Sequence, residues 1–322
     1  MRPAANRPNL HVVTDATVTR VTFDGRRATG VEHSGGAHIK ARLEVVLAAG
    51  TIGSPYLLMR SGVGAADELR DAGVPVVHEL PEVGKNLQDH LSTGVFVECL
   101  QPVTLTKAES IPNLLRYIVL RSGMLTTNVG EAVAFIRTSE AEPAPDVELV
   151  FAPVPFKDHG LTPPTGHGLT VGVVLLQPES RGRIGLNGRD VVIDPAYLSA
   201  EADVRRLVAG LKRAKEVFAT AAMKPYAGGP MAPYWGAGDR RGAGPVGTRA
   251  RRDPLSPGRH LPDGRRRRLG GGPGAARARR GGAAGGGRVD HADAQQGPHP
   301  RPPAIMIGEK AADLIRGAQG LT

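Results

Sequence analysis

Hydrophobic and polar positions along the 322-residue chain change their spacing several times. Residues 1–48 alternate in short runs that break at Asp24-Gly25 and at Gly35-Gly36, which indicates short strands joined by tight turns. The run from Val45 to Ala49 is uniformly apolar, as in a strand that is buried on both faces. The start of the chain is therefore predicted to form sheet structure.

A glycine and a helix signal follow this apolar run. Gly50 ends the strand, and the next stretch has Ser54 as N-cap, Pro55 at the first helical position and Gly62 as the C-terminal stop. Such a junction places backbone N–H groups and the positive end of a helix near the end of the strand, where a phosphate or an electron-rich ring can bind. An ordinary β–α connection has the same pattern, so both interpretations stay open.

The middle of the chain mixes strand and helix patterns. A helix is predicted over Ile111–Arg121, and residues 178–197 read as a hairpin with turns at Arg181-Gly182 and Asn187-Gly188. Ser199 is predicted to cap an amphipathic helix, because apolar residues recur at helical spacing after it. Three further runs are predicted as strands: Val95–Val97, Val147–Pro153 and Leu169–Leu176.

Periodicity is lost between Asp239 and Pro302, a segment called the Arg/Gly tract below. These 64 residues contain 15 Gly and 8 Pro and almost no large aliphatic side chains. They cannot bury enough apolar surface to offset the entropy of ordering, so the composition predicts disorder. A helical pattern returns at Pro303 and continues to Ile315.

The charge of the chain is concentrated in the same tract. The chain has a net charge of +10, and the tract alone contains 15 Arg and 5 Asp, so the remaining residues are neutral overall. A basic arm of this kind suggests a nucleic-acid-binding protein, which is one hypothesis for its function. The rest of the chain is neutral, and no aromatic residues lie between the arginines. Both observations argue against nucleic-acid binding, so no nucleic-acid partner is expected.

Composition excludes several other classes. The single cysteine, Cys99, rules out a disulfide framework and a cysteine-rich metal site, and no metal site is predicted. No apolar stretch approaches the length of a membrane-spanning helix, and the first residues do not resemble a signal peptide. A cytoplasmic protein without a membrane partner is expected, and its oligomeric state is left open.

The stretch GTIGSPYLLMRSGVG (Gly50–Gly64) is a long and specific motif. It resembles the second signature of the glucose–methanol–choline (GMC) flavin oxidoreductases, and within that family the chain is similar to the choline dehydrogenases. The resemblance covers about residues 1–238 and 303–322. Further matches are GKNLQDHL (Gly84–Leu91), GMLTTNVGEAVAFIRT (Gly123–Thr138), PESRGRIGL (Pro178–Leu186), IDPAYLS (Ile193–Ser199) and PAIMIGEKAADLI (Pro303–Ile315).

The resemblance implies an FAD-dependent enzyme that oxidises the CH–OH group of a small-molecule alcohol. In such enzymes the flavin accepts a hydride and a histidine removes the hydroxyl proton. Carried over by motif, Glu131 would face the substrate. The residues implied to contact FAD are Val18, Ala49, Gly50, Asn86, Asp89, Pro303, Ala304 and Ile305. Each has a structural alternative: Val18 as strand core, Asn86 and Asp89 as loop caps, and Glu131 as a solvated surface acid.

Two expected family segments are not in this sequence. The GxGxxG-type FAD fingerprint is absent, and the start at Met1 suggests an N-terminal truncation. The catalytic HPVGTCRMG-type segment is also missing between the Ser199 helix and Pro303, so no residue is assigned a catalytic role. This includes the tract histidines His260, His291 and His299.

A shift of reading frame explains the tract. If Ser256–Gly264 is encoded by TCA CCC GGT CGG CAC CTG CCG GAT GGG, reading one nucleotide later gives HPVGTCRM. The same shift turns a possible coding of Asp290–Arg301 into IMPTLNKGHTH, which resembles the second active-site segment of the family. Residues of about 240–302 are therefore predicted to be an out-of-frame translation, and the chain is expected to be inactive.

These patterns together predict an α/β (α+β) fold. A partial Rossmann-like FAD-binding domain is expected over residues 1–90, and a substrate domain with an antiparallel sheet flanked by helices over residues 91–238. The disordered tract would follow over 239–302, and residues 303–322 would form the C-terminal helix of the FAD-binding domain.

Overall fold

The computed structural model describes residues 4, 6–155, 166–231, 276–278 and 301–319. For 276–278, 301–303, 318 and 319 it describes the backbone alone. Nearly all of the Arg/Gly tract, with His260, His291 and His299, lies outside the described residues. The expected disorder and the domain boundaries therefore stay predictions.

Fourteen strands and five α-helices are formed by the described residues. The strands are β1 Val18–Asp24, β2 Arg27–His33, β3 His38–Lys40, β4 Val45–Leu47, β5 Val63–Gly64, β6 His78–Glu79, β7 Ser92–Cys99, β8 Ala132–Ile136, β9 Val147–Ala152, β10 Gly168–Leu175, β11 Arg183–Asn187, β12 Asp190–Asp194, β13 Ala227–Pro230 and β14 Ala276–Ala278. The helices are α1 Gly50–Arg60, α2 Ala66–Asp71, α3 Ile111–Leu120, α4 Glu201–Ala219 and α5 Arg301–Gln319, with 3-10 turns at Leu105–Lys107 and Met124–Thr126.

The N-terminal part is built from small sheets around α1. Strands β1, β2 and β3 form an antiparallel sheet, β5 and β6 pair in parallel, and β4 pairs antiparallel with β14. Helix α1 packs against β1 and also against β11, far along the chain. Ile184 of β11 is accordingly buried with Met59, Val63, Leu69 and Val83 in one cluster. The hairpin β11–β12 thus closes the core beneath α1.

The central part is a five-stranded antiparallel sheet in the order β13-β7-β10-β9-β8. Helix α4 covers one face of it, packing on β7, β9 and β10. The odd-numbered positions of β9 and β10 point toward this helix, where Val147 and Val173 are fully buried against Leu211 and Ala214. This layer of helix on sheet is the largest hydrophobic cluster of the described residues, and it confirms the expected antiparallel sheet flanked by a helix.

The start of α1 differs from the sequence prediction. The helix begins at Gly50 rather than after Ser54, its N-cap is Ala49, and Pro55 lies inside it. Ser54 is buried at 2% exposure, and its hydroxyl accepts a hydrogen bond from the Ala49 N–H at 3.1 Å. The sequence predicts that Ser54 precedes the helix and caps it. In the structure Ser54 lies inside the helix, and its hydroxyl accepts the N–H of the residue that precedes the helix.

The start of α4 also differs. The helix begins at Glu201 with Ala200 as N-cap and no side-chain cap, so Ser199 does not cap it. The N–H of Ala200 instead donates to the Ser180 hydroxyl at 3.0 Å. A loop residue 20 positions earlier thus takes the place of the expected local cap, which local sequence rules do not detect. The helix at Ile111–Leu120 and the hairpin turn at Asn187-Gly188 are confirmed.

Candidate functional site

The junction between β4 and α1 is an open, uncapped helix N-terminus. Ala49 is exposed and provides no side-chain cap to the first turn of α1. Gly50 has a φ of +80°, and no atom lies within 4 Å of the position that a Cβ would occupy. The left-handed conformation suits glycine, and the space beside it leaves room for a ligand to approach the backbone.

The loop that follows Gly84 is held by backbone hydrogen bonds to β11 and its preceding turn. The Ile184 N–H donates to the Gly84 carbonyl at 2.6 Å, and Leu87 exchanges two hydrogen bonds with Gly182 at 2.9 and 2.8 Å. A Cβ on Gly84 would lie 2.2 Å from the Ile184 carbonyl oxygen, so only glycine fits there. Within this loop Asn86 is half-buried in the left-handed region, at a φ of +61°.

Asp89 and His90 fix the end of the same loop. The Asp89 carboxylate accepts from the His90 N–H at 3.0 Å and from the hydroxyl of Tyr197. Burial lowers the pKa of His90 below its ordinary value of 6.5, while the Asp89 carboxylate and a hydrogen bond to the Leu176 carbonyl act in the opposite direction. Asp89 and Tyr197 lie in separate sequence motifs, and nothing in the sequence indicates that their side chains form a hydrogen bond.

Val18 lies at the outer end of β1, opposite His33 of β2, with 39% of its surface exposed. The strand is attached to α1 by the Val21 N–H, which donates to the Ser61 hydroxyl at 2.8 Å. That hydroxyl donates in turn to the Leu57 carbonyl of α1 at 2.5 Å. The alternative of Val18 as strand core does not fit its exposure, because Val21 rather than Val18 is the buried valine of β1.

The start of α5 carries three residues that are expected to contact FAD. Ala304 is half-buried and Ile305 is 66% exposed, and the side chain of Pro303 is not described. Among the described residues, no hydrogen bond joins Ala304 or Ile305 to Ala49 or Gly50. The expected closure of residues 303–305 over a flavin therefore stays a prediction.

Glu131 immediately precedes β8, at the edge of the five-stranded sheet. Its N–H donates to the Phe151 carbonyl at 2.9 Å, and its side chain is exposed. It lies just outside β8, in which Val133 and Phe135 lie on the sheet face opposite α4 by strand alternation. This face also contains Gly94 and Gly172, which stand opposite each other in β7 and β10.

Two buried polar groups support this region, and the sequence patterns assigned them no role. Asp203, in the first turn of α4, is 1% exposed and accepts from the N–H groups of Glu179 and Ser180 at 2.8 and 2.9 Å. Arg206, one turn later, forms ion pairs with Glu142, Asp146 and Glu179 at 3.1, 3.5 and 2.8 Å. Asp203 is the third residue of α4, a position where acidic side chains often accept backbone N–H groups near the start of a helix. That position was the one sequence feature that pointed to its role.

Within the described ranges, no group of three or more His, Cys, Asp or Glu side chains is arranged to hold a metal ion. No helix among the same residues has both the length and the apolarity to cross a bilayer. The N-terminal end of α1 at the β4–α1 junction suits an anionic or electron-rich organic ligand instead.

Sequence profiles decide the family. Two profiles described as GMC oxidoreductase match this chain, an N-terminal one over residues 1–92 and a C-terminal one over residues 178–256. The chain belongs to the GMC oxidoreductase family. The first match includes the β4–α1 junction and the Gly84–Leu91 loop, and the second includes β11, β12 and α4.

Curated relatives agree with this family. An uncharacterised GMC-type oxidoreductase of Mycobacterium tuberculosis is 38% identical over 333 aligned positions, covering 98% of this chain and 61% of the relative. An alcohol dehydrogenase [acceptor] of Pseudomonas putida is 40% identical, covering 66% of this chain and 41% of the relative. An oxygen-dependent choline dehydrogenase of Pseudomonas aeruginosa is 39% identical, covering 71% and 43%. This GMC chain thus spans between 41% and 61% of the length of these relatives.

Solved structures share its fold. Pyridoxine 4-oxidase from Mesorbium loti superposes with a TM-score of 0.62 at 25% identity, covering 77% of this chain and 46% of that one. Formate oxidase of Aspergillus oryzae superposes with a TM-score of 0.66 at 23% identity, covering 76% and 50%. The mixed helix and strand architecture of the GMC chain is therefore that of known oxidoreductases.

The residues at the β4–α1 junction fit part of a flavin cofactor. The open space beside Gly50 and the uncapped α1 N-terminus can accept an electron-rich ring edge or a phosphate. The loop of residues 84–91 is attached to β11 and its preceding turn by backbone hydrogen bonds, and to Tyr197 through the Asp89 carboxylate. The individual contacts expected of Ala49, Gly50, Pro303, Ala304 and Ile305 with FAD stay predictions.

Proposed function

We propose that this chain carries the FAD-contacting junction and the substrate-side sheet of a GMC enzyme that oxidises an alcohol. The observation that supports this most directly is the open β4–α1 junction at Ala49–Gly50. FAD supplies the hydride acceptor when bound. The alcohol class rests on relatives named alcohol dehydrogenase and choline dehydrogenase.

The residues divide into backbone and side-chain roles. Ala49 and Gly50 would present main-chain atoms to the cofactor, and Val18 would do so from the end of β1. Asn86 and Asp89 would lie beside it, in a loop that is held by the backbone hydrogen bonds of Gly84 and Leu87 and by the Tyr197 hydroxyl on the Asp89 carboxylate. Glu131 would supply an exposed carboxylate at the edge of the sheet, on the substrate side.

FAD titration of the full chain tests the cofactor site. Gly50→Ala places a methyl group in the open space and strains a left-handed residue, so FAD affinity should fall by about tenfold or more. Gly73→Ala is the matched control, because Gly73 has a φ of +70° and also has no atom within 4 Å of the Cβ position. The control should change affinity by less than about twofold. Equal FAD affinity in both variants, or no FAD binding by the native chain, would contradict the assignment.

We also propose that this polypeptide does not turn over an alcohol. The base needed for proton removal belongs to a family segment that is not in the sequence between α4 and α5. Without that base, the hydroxyl proton of the substrate has no residue assigned to remove it. The out-of-frame hypothesis for residues 240–302 explains the loss.

Two measurements test this second proposal. Sequencing of the genomic locus should show a single-nucleotide offset around codons 240–302; an intact frame encoding the tract would refute the frameshift. Steady-state assays of the FAD-supplemented chain with simple alcohols and an artificial electron acceptor should show no turnover above that of free FAD. Saturable alcohol oxidation by this chain would refute its inactivity.

A further inference from the structure

One segment of the chain contacts both the loop of residues 84–91 and the substrate-side sheet. It comprises residues 175–182, from the last residue of β10 to the residue before β11, and is called the strap below. The strap makes hydrogen bonds with the 84–91 loop, with the start of α4 and with the connection between β8 and β9, residues 137–146. A change in the strap is therefore felt in both parts of the proposed site.

The strap holds the 84–91 loop through the main chain. Leu87 exchanges two hydrogen bonds with Gly182 at 2.9 and 2.8 Å, and the Leu175 N–H donates to the Leu91 carbonyl at 3.0 Å. The two loop residues that are expected near FAD lie beside or between these attachments. The position of the loop thus depends on the position of the strap.

Arg206 of α4 joins the strap to the β8–β9 connection. Its guanidinium forms an ion pair with Glu179 of the strap at 2.8 Å and donates to the Gln177 carbonyl at 3.4 Å. It also pairs with Glu142 and Asp146 of the connection, at 3.1 and 3.5 Å. The side chain is 15% exposed, so these contacts are largely removed from water. A planar guanidinium with several N–H donors can hold carboxylates from two segments at the same time.

The carboxylates around Arg206 need this cation. Asp146 is 1% exposed and Glu142 is 21% exposed, and both contact the same guanidinium. Without it, two carboxylates would face each other in a site with little water, where like charges repel more strongly than at the surface. We expect the connection to move away from α4 in that case. Asp203 would still hold the strap through two N–H groups, so the loss of order would be partial.

We propose that Arg206 is a positioning residue that acts through the strap to order the 84–91 loop for FAD and to link this loop to the β8–β9 connection. The inference rests on the proposed function, in which residues of this loop lie beside FAD. If the two segments are linked, FAD that is held by the loop also restricts the motion of the connection, and removal of the link abolishes this effect.

Hydrogen exchange of the full chain, measured by mass spectrometry without FAD, tests the order of the loop. Arg206→Met keeps an unbranched, helix-favouring side chain and removes the charge. Amides of residues 84–91 should exchange about fivefold faster than in the native chain, while those of β1 and β2 stay unchanged. Arg206→Lys keeps a cation without the fork, so its exchange should be intermediate. Arg213→Met is the matched control, because Arg213 lies two turns later in α4 and pairs with Glu216 at the surface.

Addition of FAD gives a second measurement that a purely structural role would not change. In the native chain and in Arg213→Met, FAD should slow the exchange of residues 137–146. In Arg206→Met this protection should be lost, and FAD affinity should fall by about fivefold.

Unchanged exchange of residues 84–91 in Arg206→Met overturns the proposal. So does an equal rise in exchange throughout the chain, β1 and β2 included, because that result shows a general loss of stability. A native chain that binds no FAD contradicts the proposed function instead, and the exchange measured without FAD then decides whether Arg206 orders the loop.

Discussion

Asp203 shows how much a single buried carboxylate can contribute here. It is 1% exposed and accepts from the N–H groups of Glu179 and Ser180, which lie before the hairpin β11–β12. The same turn is held from the other side by the Ala200 N–H on the Ser180 hydroxyl. The start of α4 and the loop of residues 178–182 are thus fixed to each other by one small set of hydrogen bonds.

Asp203→Ala is expected to destabilise the fold by about 2–4 kcal/mol, because the buried N–H of Ser180 and the part-buried N–H of Glu179 lose their acceptor. Urea unfolding followed by circular dichroism measures this change. Glu201→Ala is the control two residues earlier in the same helix. Its carboxylate is 84% exposed and pairs with Arg205 at the surface, so its removal should cost less than about 0.5 kcal/mol. Similar losses for both variants would rule out the role given to Asp203.

The lowered pKa of His90 predicts how the free energy of unfolding changes with pH. Burial lowers its pKa below 6.5 in the folded chain, against the opposing effects of Asp89 and the Leu176 carbonyl. The unfolded chain therefore binds more protons in acid than the folded chain does. The free energy of unfolding should fall as the pH drops from about 7 through the ordinary histidine pKa.

His90→Gln should reduce this slope, because glutamine can donate to the Leu176 carbonyl but does not titrate. Unfolding free energies measured at about pH 7.5, 6.5 and 5.5 compare the two chains. His11→Gln, at an exposed histidine, is the control and should leave the slope as in the native chain. If the native chain and His90→Gln lose stability in parallel, His90 is not the source of the slope.

Single residues could be predicted where their role is local. Gly50 follows an apolar run, and a glycine at that place in a strand–helix signal predicts the turn that is observed. Asp203 and Tyr197 could not be found in this way, because their partners lie 23 to 108 residues away. Such contacts depend on the hairpin β11–β12 folding back onto α1, which no local pattern encodes.

At the level of elements, α3 and α4 contrast sharply. Both are amphipathic in sequence, but α4 buries Leu207, Leu211 and Phe218 against the sheet, whereas α3 has no buried residue. Leu115 and Ile118 of α3 are 56% and 55% exposed. An apolar periodicity predicts that a helix forms, but it does not predict that a partner is present in the same chain.

Equivalent truncations in the two helices should therefore have unequal effects. Leu211→Ala removes a side chain that is 4% exposed in the main core, and it should cost about 2–5 kcal/mol of unfolding free energy. Leu115→Ala should cost less than about 1 kcal/mol, because the side chain is mostly in solvent and alanine favours a helix. Urea titrations of both variants measure the difference. A loss above about 2 kcal/mol for Leu115→Ala would show that α3 is packed in solution.

Element boundaries were less predictable than the elements themselves. Ser54 and Pro55 form a strong local helix-start signal with Pro55 as the first helical residue, yet α1 begins five residues earlier, at Gly50. The Ser54 hydroxyl accepts the Ala49 N–H instead of capping a helix that would begin at Pro55. The left-handed conformation of Gly50 turns the chain into the helix before Ser54 is reached. The hairpin was predicted more accurately, because Asn187-Gly188 determines its turn independently of the surroundings.

At the level of the whole molecule, charge and fold are separated along the chain. The residues outside 239–302 carry no net charge, and the tract supplies the full +10. Family membership rests on the matches over 1–92 and 178–256, most of which precede the tract. The hypothesis of a shifted frame accounts for both observations, because shifted GC-rich codons become arginine and glycine codons without selection for a basic partner.

Nucleic-acid binding by the full chain should accordingly be non-specific. A tract that contacts about six phosphates would lose on the order of 10³-fold in affinity between 50 and 200 mM salt. Fluorescence anisotropy should give similar affinities for two unrelated 30-base-pair duplexes and a single strand. Each of these affinities should fall steeply as the salt concentration rises. Replacing the 15 tract arginines with serine should abolish it, while E131R, which adds positive charge outside the tract, should leave it unchanged. Tight binding to one sequence at about 150 mM salt, lost in the serine variant, would instead establish the tract as a functional nucleic-acid arm.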